Sequence, residues 1–317
     1  MQDAGHLVLG AGAVGIGLGA TLLAAGEPVC FVARADTARA LRRDGCVRAG
    51  LFGEVAFPPA AFRVVDDARE LREAPGAVWI ATKSWATEDA ARALLACAAV
   101  RDAHAPIVLA QNGLGNAERF AAHFPRSRVF NARVITGFRR DTPARVTVTV
   151  HADDVLLGSL FGADTAPLEP LAAALRRGGL PARTTPDVAS ELWGKVLYNC
   201  ALNPLGAILG VPYGELARRP QTRALMQAVV AEILAVMRAE GPAPRWADAD
   251  AYMRHLYGTL LPPTEDHESS MLQDVRAGRH TEIDALCGEI AARGARVGLA
   301  TPVNAALAVL VRALEGR

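Results

Sequence analysis

Along the first half of the chain, short apolar runs alternate with stretches whose apolar residues repeat every three or four positions. Leu7–Leu9, Val29–Ala33, Arg63–Val65, Ala77–Ala81, Ile107–Gln111 and Val129–Arg133 read as strands, and intervening segments such as Glu88–Ala98 have helical patterning. Mostly apolar strands separated by helices are the signature of a parallel, doubly wound sheet, so the expected class is α/β. Val146–Val150 and Val155–Leu160, flanking Ala152-Asp153-Asp154, predict a β-hairpin. Leu168–Arg177 predicts a helix stopped by Gly178-Gly179, and Ala182–Thr185 is a candidate last strand. After Pro186 the strand signal disappears. Thr222–Glu240, Ser269–Val297 and Pro302–Leu314 all carry helical patterns. The expected organisation is a Rossmann-type domain over 1–186 followed by an all-α domain over 187–317.

One stretch breaks the pattern. Leu7 to Gly26 is twenty residues without a charge, about the length of a membrane span. Six of the twenty are glycine, each weakening a helix by roughly 1 kcal/mol relative to alanine. The preceding MQDAGH has no Lys or Arg, unlike the basic start of a signal peptide. A nucleotide site accounts for the glycines better. Gly10-Ala11-Gly12-Ala13-Val14-Gly15 fits GxGxxG directly after the strand Leu7–Leu9, and Ala13–Ala25 reads as a helix ending at Gly26. Gly10 makes the tight turn, Gly12 lets a pyrophosphate approach the backbone, and Gly15 lets the helix pack on the sheet. The helix N-terminus offers N–H groups to the phosphates.

An NAD site usually carries an acid at the end of the second strand. Here that place reads Ala33-Arg34-Ala35-Asp36, and a guanidinium at Arg34 suits a 2′-phosphate. NADP is therefore expected, with Asp36 serving NAD if the strand ends later.

Bulk properties narrow the class. The 317 residues carry a net charge of +1 with no basic block, so no nucleic-acid footprint is present. Five cysteines are widely spaced without CxxC, and the histidines form no HExxH. The expectation is a cytoplasmic, metal-free protein with no membrane partner, monomeric or homodimeric.

Candidate chemistry sits in four motifs. In "ELWGKVLYNCALNP", Glu191, Lys195, Asn199 and Asn203 are spaced by four and form one helical stripe among apolar neighbours. A surface stripe with a Glu191–Lys195 ion pair is the plainer reading; two asparagines, poor helix formers, argue for a site. Pro204 is expected to end or kink that helix. "ESSMLQDVRAGRHTEID" holds Ser269, Ser270 and Glu282, and reads equally as a solvated charged face. "TKSW", with Lys83, and "QNGLGN", with Asn112, follow strand C-termini, where doubly wound sheets bind ligands.

These residues, GAGAVG, TKSW, QNGLGN, KVLYNCALNPLGAI and SSMLQDVRAGRHTEID in that order, resemble the ketopantoate reductase family from the first strand to about residue 300. The resemblance implies NADPH-dependent reduction of 2-dehydropantoate to (R)-pantoate, in pantothenate and coenzyme A biosynthesis. It implies Lys195 and Glu282 as catalytic residues and Asn112, Asn199, Asn203 and Ser270 as substrate-binding. Arg34, Lys83, Asn112 and the turn Gly10–Gly15 (Gly10, Ala11, Gly12, Ala13, Val14, Gly15) would meet NADP. An ammonium at Lys195 would stabilise charge on the reduced carbonyl oxygen and deliver the proton. Two positions depart from the family pattern: Tyr213 before Gly-Glu-Leu and His267 ahead of the paired serines stand where asparagines are common. They leave open a same-fold reductase of another 2-oxo acid or ketose. A non-catalytic NADP-binding sensor is the third reading, and it need not keep Lys195, Asn199 and Glu282 together.

Overall fold

The computed structural model describes residues 5–241 and 243–315. They gather into two compact units: residues up to Gln111 with Asn116–Val188, and Asn112–Gly115 with the residues from Ala189 onward.

The first unit contains strands β1 (His6–Leu9), β2 (Val29–Val32), β3 (Cys46–Gly50), β4 (Val55–Phe57), β5 (Arg63–Val65), β6 (Ala77–Ile80), β7 (Ile107–Leu109), β8 (Val129–Arg133), β9 (Thr136–Thr142), β10 (Arg145–His151), β11 (Val155–Gly158) and β12 (Ala182–Thr184). Its helices are α1 (Ala13–Ala24), α2 (Ala35–Asp44), α3 (Thr87–Leu95), α4 (Ala98–Arg101), α5 (Asn116–Ala121) and α6 (Glu169–Arg177). Eight strands form one sheet in the order β12-β11-β8-β7-β6-β1-β2-β5, parallel except where β11 meets β8. Both faces are covered, which is why β1 and β6 are apolar at every position but His6. Leu7, Leu9, Val78 and Ile80 enter one core with Leu94, while Val8 and Trp79 enter the other with Ile16 and Leu22.

The glycine-rich stretch is resolved by a second sheet. Strands β4-β3-β10-β9 form a smaller sheet that packs on α1 from the side opposite the large one. A Cβ at Gly19 would lie 2.2 Å from the Phe31 ring of β2, and one at Gly17 would lie 2.3 Å from the Phe138 ring of β9. Glycine is thus required on two sides of α1. A helix enclosed this way is apolar all round without any lipid contact. Arg48 of β3, itself buried, donates to Thr21 Oγ1 of α1 at 2.6 Å and to the Gly178 carbonyl at 3.0 Å, tying the small sheet down. Among the described residues no helix is long and apolar enough to cross a membrane.

Three expectations need correction. The segments Val146–Val150 and Val155–Leu160 do not pair with each other: β10 pairs with β9 and β3, whereas β11 joins β8 and β12 in the large sheet. Their burial explains it. In β10, Val146 and Val148 are buried while Arg145, Thr147 and Thr149 are not, as in a one-sided sheet; β11 is buried throughout. The helical stretch 269–297 is broken. It forms α11 and α12, separated by Gly278 at φ +61° and a turn that carries Glu282. Pro204 does not end its helix, which runs on to Leu209. Only one backbone donor is lost there, and Leu202, Leu205 and Ala207 on either side remain buried.

The second unit contains helices α7 (Val188–Leu209, all but its first residue), α8 (Tyr213–Arg218), α9 (Pro220–Glu240), α10 (Ala249–His255), α11 (Ser270–Arg276), α12 (Cys287–Arg296) and α13 (Pro302–Glu315). Its hub is α9, whose Val229, Val230, Ile233, Leu234 and Met237 are buried and which packs against α8, α10, α12 and α13.

Candidate active site

In the first unit, the turn after β1 has the shape of a phosphate cradle. Gly10 has φ +100°, a backbone that only glycine adopts freely, and a Cβ there would sit 2.6 Å from the Thr82 amide nitrogen. A Cβ at Gly15 would lie 2.0 Å from the Gly10 carbonyl oxygen. Gly12 differs: a Cβ there would meet nothing within 4 Å, so its missing side chain leaves open space beside the helix start. Gly12 is also the N-cap of α1, without a side-chain cap and with no acid in the first turn. The first N–H groups of α1, those of Ala13, Val14 and Gly15, thus have no partner from their own helix. Together with the peptide at Ala11 they suit a pyrophosphate.

The sheet order places β1 between β6 and β2, and the chain leaves β1 towards β2 and β5 on one side and β6, β7 and β8 on the other. The glycine turn therefore lies at a topological switch point. Beyond β2, Arg34 is exposed, two residues past the strand end at Val32. Asp36 lies beyond the strand end, in the first turn of α2, where it pairs with Arg39. Ala35, between them, has φ +48°, a strained conformation for a residue with a side chain. Beyond β6, half-buried Lys83 caps a 3₁₀ turn, Ser84–Ala86. Arg34 and Lys83 thus follow the two strands that flank the glycine turn.

In the second unit, a hydrogen-bonded chain joins three of the residues singled out above. Lys195 Nζ donates to Asn112 Oδ1 at 2.7 Å, and Asn112 Nδ2 donates to Glu282 Oε2 at 2.9 Å. An ammonium only donates and a carboxylate only accepts, so the chemistry fixes which way the amide faces. Asn112 is held there by its neighbours. Gly113 has φ +83°, and a Cβ on it would lie 2.2 Å from the Ala285 carbonyl oxygen. The Leu114 amide then donates to that same carbonyl at 2.9 Å. Glu282, 7 % exposed, sits on a turn secured by the last helix. The Thr281 amide donates to Glu315 at 2.9 Å, the Thr281 hydroxyl binds Glu315 too, and Arg312 Nε donates to Asp284 at 2.8 Å.

One turn beyond Lys195, the Asn199 side chain is nine-tenths buried yet makes no hydrogen bond among the described residues. Its amide is not among the fully buried unpartnered polar atoms, so it stays reachable from solvent and open to a ligand. Asn203, a further turn on, accepts a hydrogen bond from the Tyr213 hydroxyl at 2.6 Å. Burial pushes that hydroxyl well above the ordinary tyrosine range, so it stays a donor. Glu191 at the start of the stripe pairs with Arg245. Of the paired serines, Ser269 is fully buried: it caps α11 by accepting from the Leu272 amide at 3.0 Å and donates to the Asn203 carbonyl at 3.4 Å. Ser270 is exposed at the first position of α11. Sequence reasoning missed Thr281 and Glu315, which hold Glu282. Nothing in their spacing announces a contact across thirty-four positions. Among the described residues no three His, Cys, Asp or Glu side chains form a metal-binding group.

Comparison with known proteins adds an independent line. The family described as "Ketopantoate reductase PanE/ApbA" matches residues 6–160, and "Ketopantoate reductase PanE/ApbA C terminal" matches residues 187–315. The 2-dehydropantoate 2-reductase of Aquifex aeolicus (strain VF5) is 36% identical over 98% of this chain and 96% of its own. The crystal structure of a PanE/ApbA family ketopantoate reductase from Ralstonia eutropha JMP134 superposes with a TM-score of 0.84 at 29% identity, covering 98% of each chain. D-mandelate dehydrogenase, solved with NADH and anilino(oxo)acetate, has a TM-score of 0.86 at 22% identity and covers 98% of each chain, a likeness of fold alone.

Proposed function

The chain belongs to the ketopantoate reductase family, and from that membership we propose that it reduces 2-dehydropantoate to (R)-pantoate with NADPH, on the route to pantothenate and coenzyme A. The observation that carries the reading to residues is the Lys195–Asn112–Glu282 chain, with the solvent-reachable amide of Asn199 one helical turn beyond Lys195.

Gly10–Gly15 would hold the pyrophosphate on backbone N–H groups, and Arg34 with Lys83 would meet the 2′-phosphate end. Arg34 in place of an acid, with Asp36 engaged by Arg39, supports NADPH over NADH. Bound NADPH supplies the hydride that reduces the keto carbon. Negative charge then grows on the carbonyl oxygen, and Lys195 stabilises it and donates the proton that completes the hydroxyl. Asn112 aims the ammonium, and Glu282, acting through the Asn112 amide, holds that aim. Asn199 and Asn203 offer hydrogen bonds to the carboxylate and hydroxyl of the substrate, and Ser270, at the start of α11, is the outermost candidate.

The test is loss of NADPH absorbance against a panel of 2-oxo acids, repeated with NADH. Ketopantoate with NADPH is expected to be the best pair, and Lys195→Ala to lower kcat by about 10²–10⁴-fold with NADPH binding retained. Fast turnover of another 2-oxo acid with none on ketopantoate overturns the substrate; tight NADPH binding without turnover on any ketone overturns the enzyme.

A further inference from the structure

The two positions that depart from the family pattern, Tyr213 and His267, turn out to be neighbours. Their ring centroids are 5.3 Å apart, and the Tyr213 amide donates to the His267 carbonyl at 3.2 Å. On its other side the Tyr213 ring meets Tyr198 edge-on, at 5.7 Å between centroids. Tyr198 belongs to the same helix as Lys195, and its hydroxyl lies 2.9 Å from Thr264 Oγ1 in the loop that leads to His267. Three rings from α7, from the start of α8 and from that loop therefore form one block. The block reaches the stripe through the Tyr213 hydroxyl, which donates to Asn203 Oδ1.

That bond has a chemical consequence. The bond fixes the amide's orientation, with Oδ1 held towards Tyr213 and the Nδ2 donor turned to the other side, where it makes no hydrogen bond among the described residues. Asn203 stands two turns past Lys195, about 12 Å along the axis at 1.5 Å per residue. A ligand whose keto oxygen meets Lys195 reaches Asn203 only with its far end. We infer that Tyr213, backed by His267, is a specificity-determining positioning residue: it holds the Asn203 amide as a fixed donor that selects 2-oxo acids bearing an oxygen at the carbon furthest from the carboxylate. This rests on the functional reading above and adds to it the feature of the substrate that is recognised and the residue that enforces it.

Two acids of nearly the same shape test it. Ketopantoate carries a terminal hydroxyl, and 3,3-dimethyl-2-oxobutanoate is the same skeleton without it. Steady-state kinetics with NADPH would be measured for the wild type, Tyr213→Phe and His267→Leu, with melting temperatures alongside. Wild type is expected to favour ketopantoate at least tenfold in kcat/KM. Tyr213→Phe should raise KM for ketopantoate about tenfold with kcat within twofold, and move KM for the deoxy acid by less than twofold. His267→Leu should give the same split with a smaller amplitude, and it carries the test alone if Tyr213→Phe does not fold. Equal changes for both acids, or no change for either, overturn the inference. If the wild type reduces neither acid, the functional reading fails separately. Calorimetric binding of the two acids in the presence of NADP then decides the inference by the same ratio.

Discussion

The glycine turn of the first unit and the lysine stripe of the second solve the problem of holding a ligand in opposite ways. The turn is made of backbone: its donors are peptide N–H groups, and its residues matter for the side chains they lack. The stripe is made of side chains: Lys195, Asn112 and Glu282 come from three separate stretches, and each is aimed by another. A backbone site is written in a few consecutive residues, so it tolerates change everywhere except at those residues. A side-chain site is spread along the sequence, so it is exposed to change at residues that touch no ligand.

This contrast can be broken experimentally. Asn112→Ala should have a large effect, lowering kcat on the order of a hundredfold even at saturating NADPH, a loss separate from that of the contact with NADP implied for the same residue. Loss of NADPH affinity with kcat kept would place Asn112 with the cofactor site alone. Gly12→Val and Gly17→Ala sharpen the other side. The first should weaken NADPH binding on the order of a hundredfold with an unchanged melting temperature, because its new atoms enter open space. The second should leave binding alone and cost about 1–3 kcal/mol of stability, because its Cβ meets Phe138. Arg34→Ala is expected to weaken NADPH by about tenfold and to leave NADH unaffected, read from KM for each.

The smallest effect concerns pH. Burial holds His6, His151 and His267 below the ordinary histidine range. Their unfolded counterparts take up protons first as pH falls below about 6.5. Stability is therefore complete above that value and declines as pH drops towards the depressed folded values. Melting temperatures at pH 7.5 and 5.5 should show the decline. His6→Gln should remove part of it, since neutral His6 accepts the Trp79 indole N–H at 3.2 Å. A flat profile would contradict this assignment.

How far each region could be read in advance follows the same division. The strand, turn and helix of the glycine run were legible because their constraints are local, down to Gly10 at the turn and Gly15 at the helix start. Gly17 and Gly19 were not, because their reason lies in Phe138 and Phe31. The small sheet escaped notice because β9, Thr136–Thr142, is polar and exposed over most of its length and carries two arginines and an aspartate. In the second unit the spacing of Lys195, Asn199 and Asn203 revealed their shared face. It could not reveal that Asn112 bridges Lys195 to Glu282, 170 positions further on from Asn112. The pairing of Tyr213 with His267 is hidden for the same reason, although each position stands out by itself in the sequence.

One consequence concerns recombination between relatives. The four residues Asn112–Gly115 are threaded through the first half of the chain yet pack as part of the helical unit. A chimera spliced at the start of α7 inherits the lysine and the glutamate from one parent and the amide between them from the other. Hybrids that also transplant this tetrapeptide should keep their turnover. Those cut at the obvious seam fold their two halves with a mismatched linchpin, so the gene has a functional border that its length and texture do not advertise.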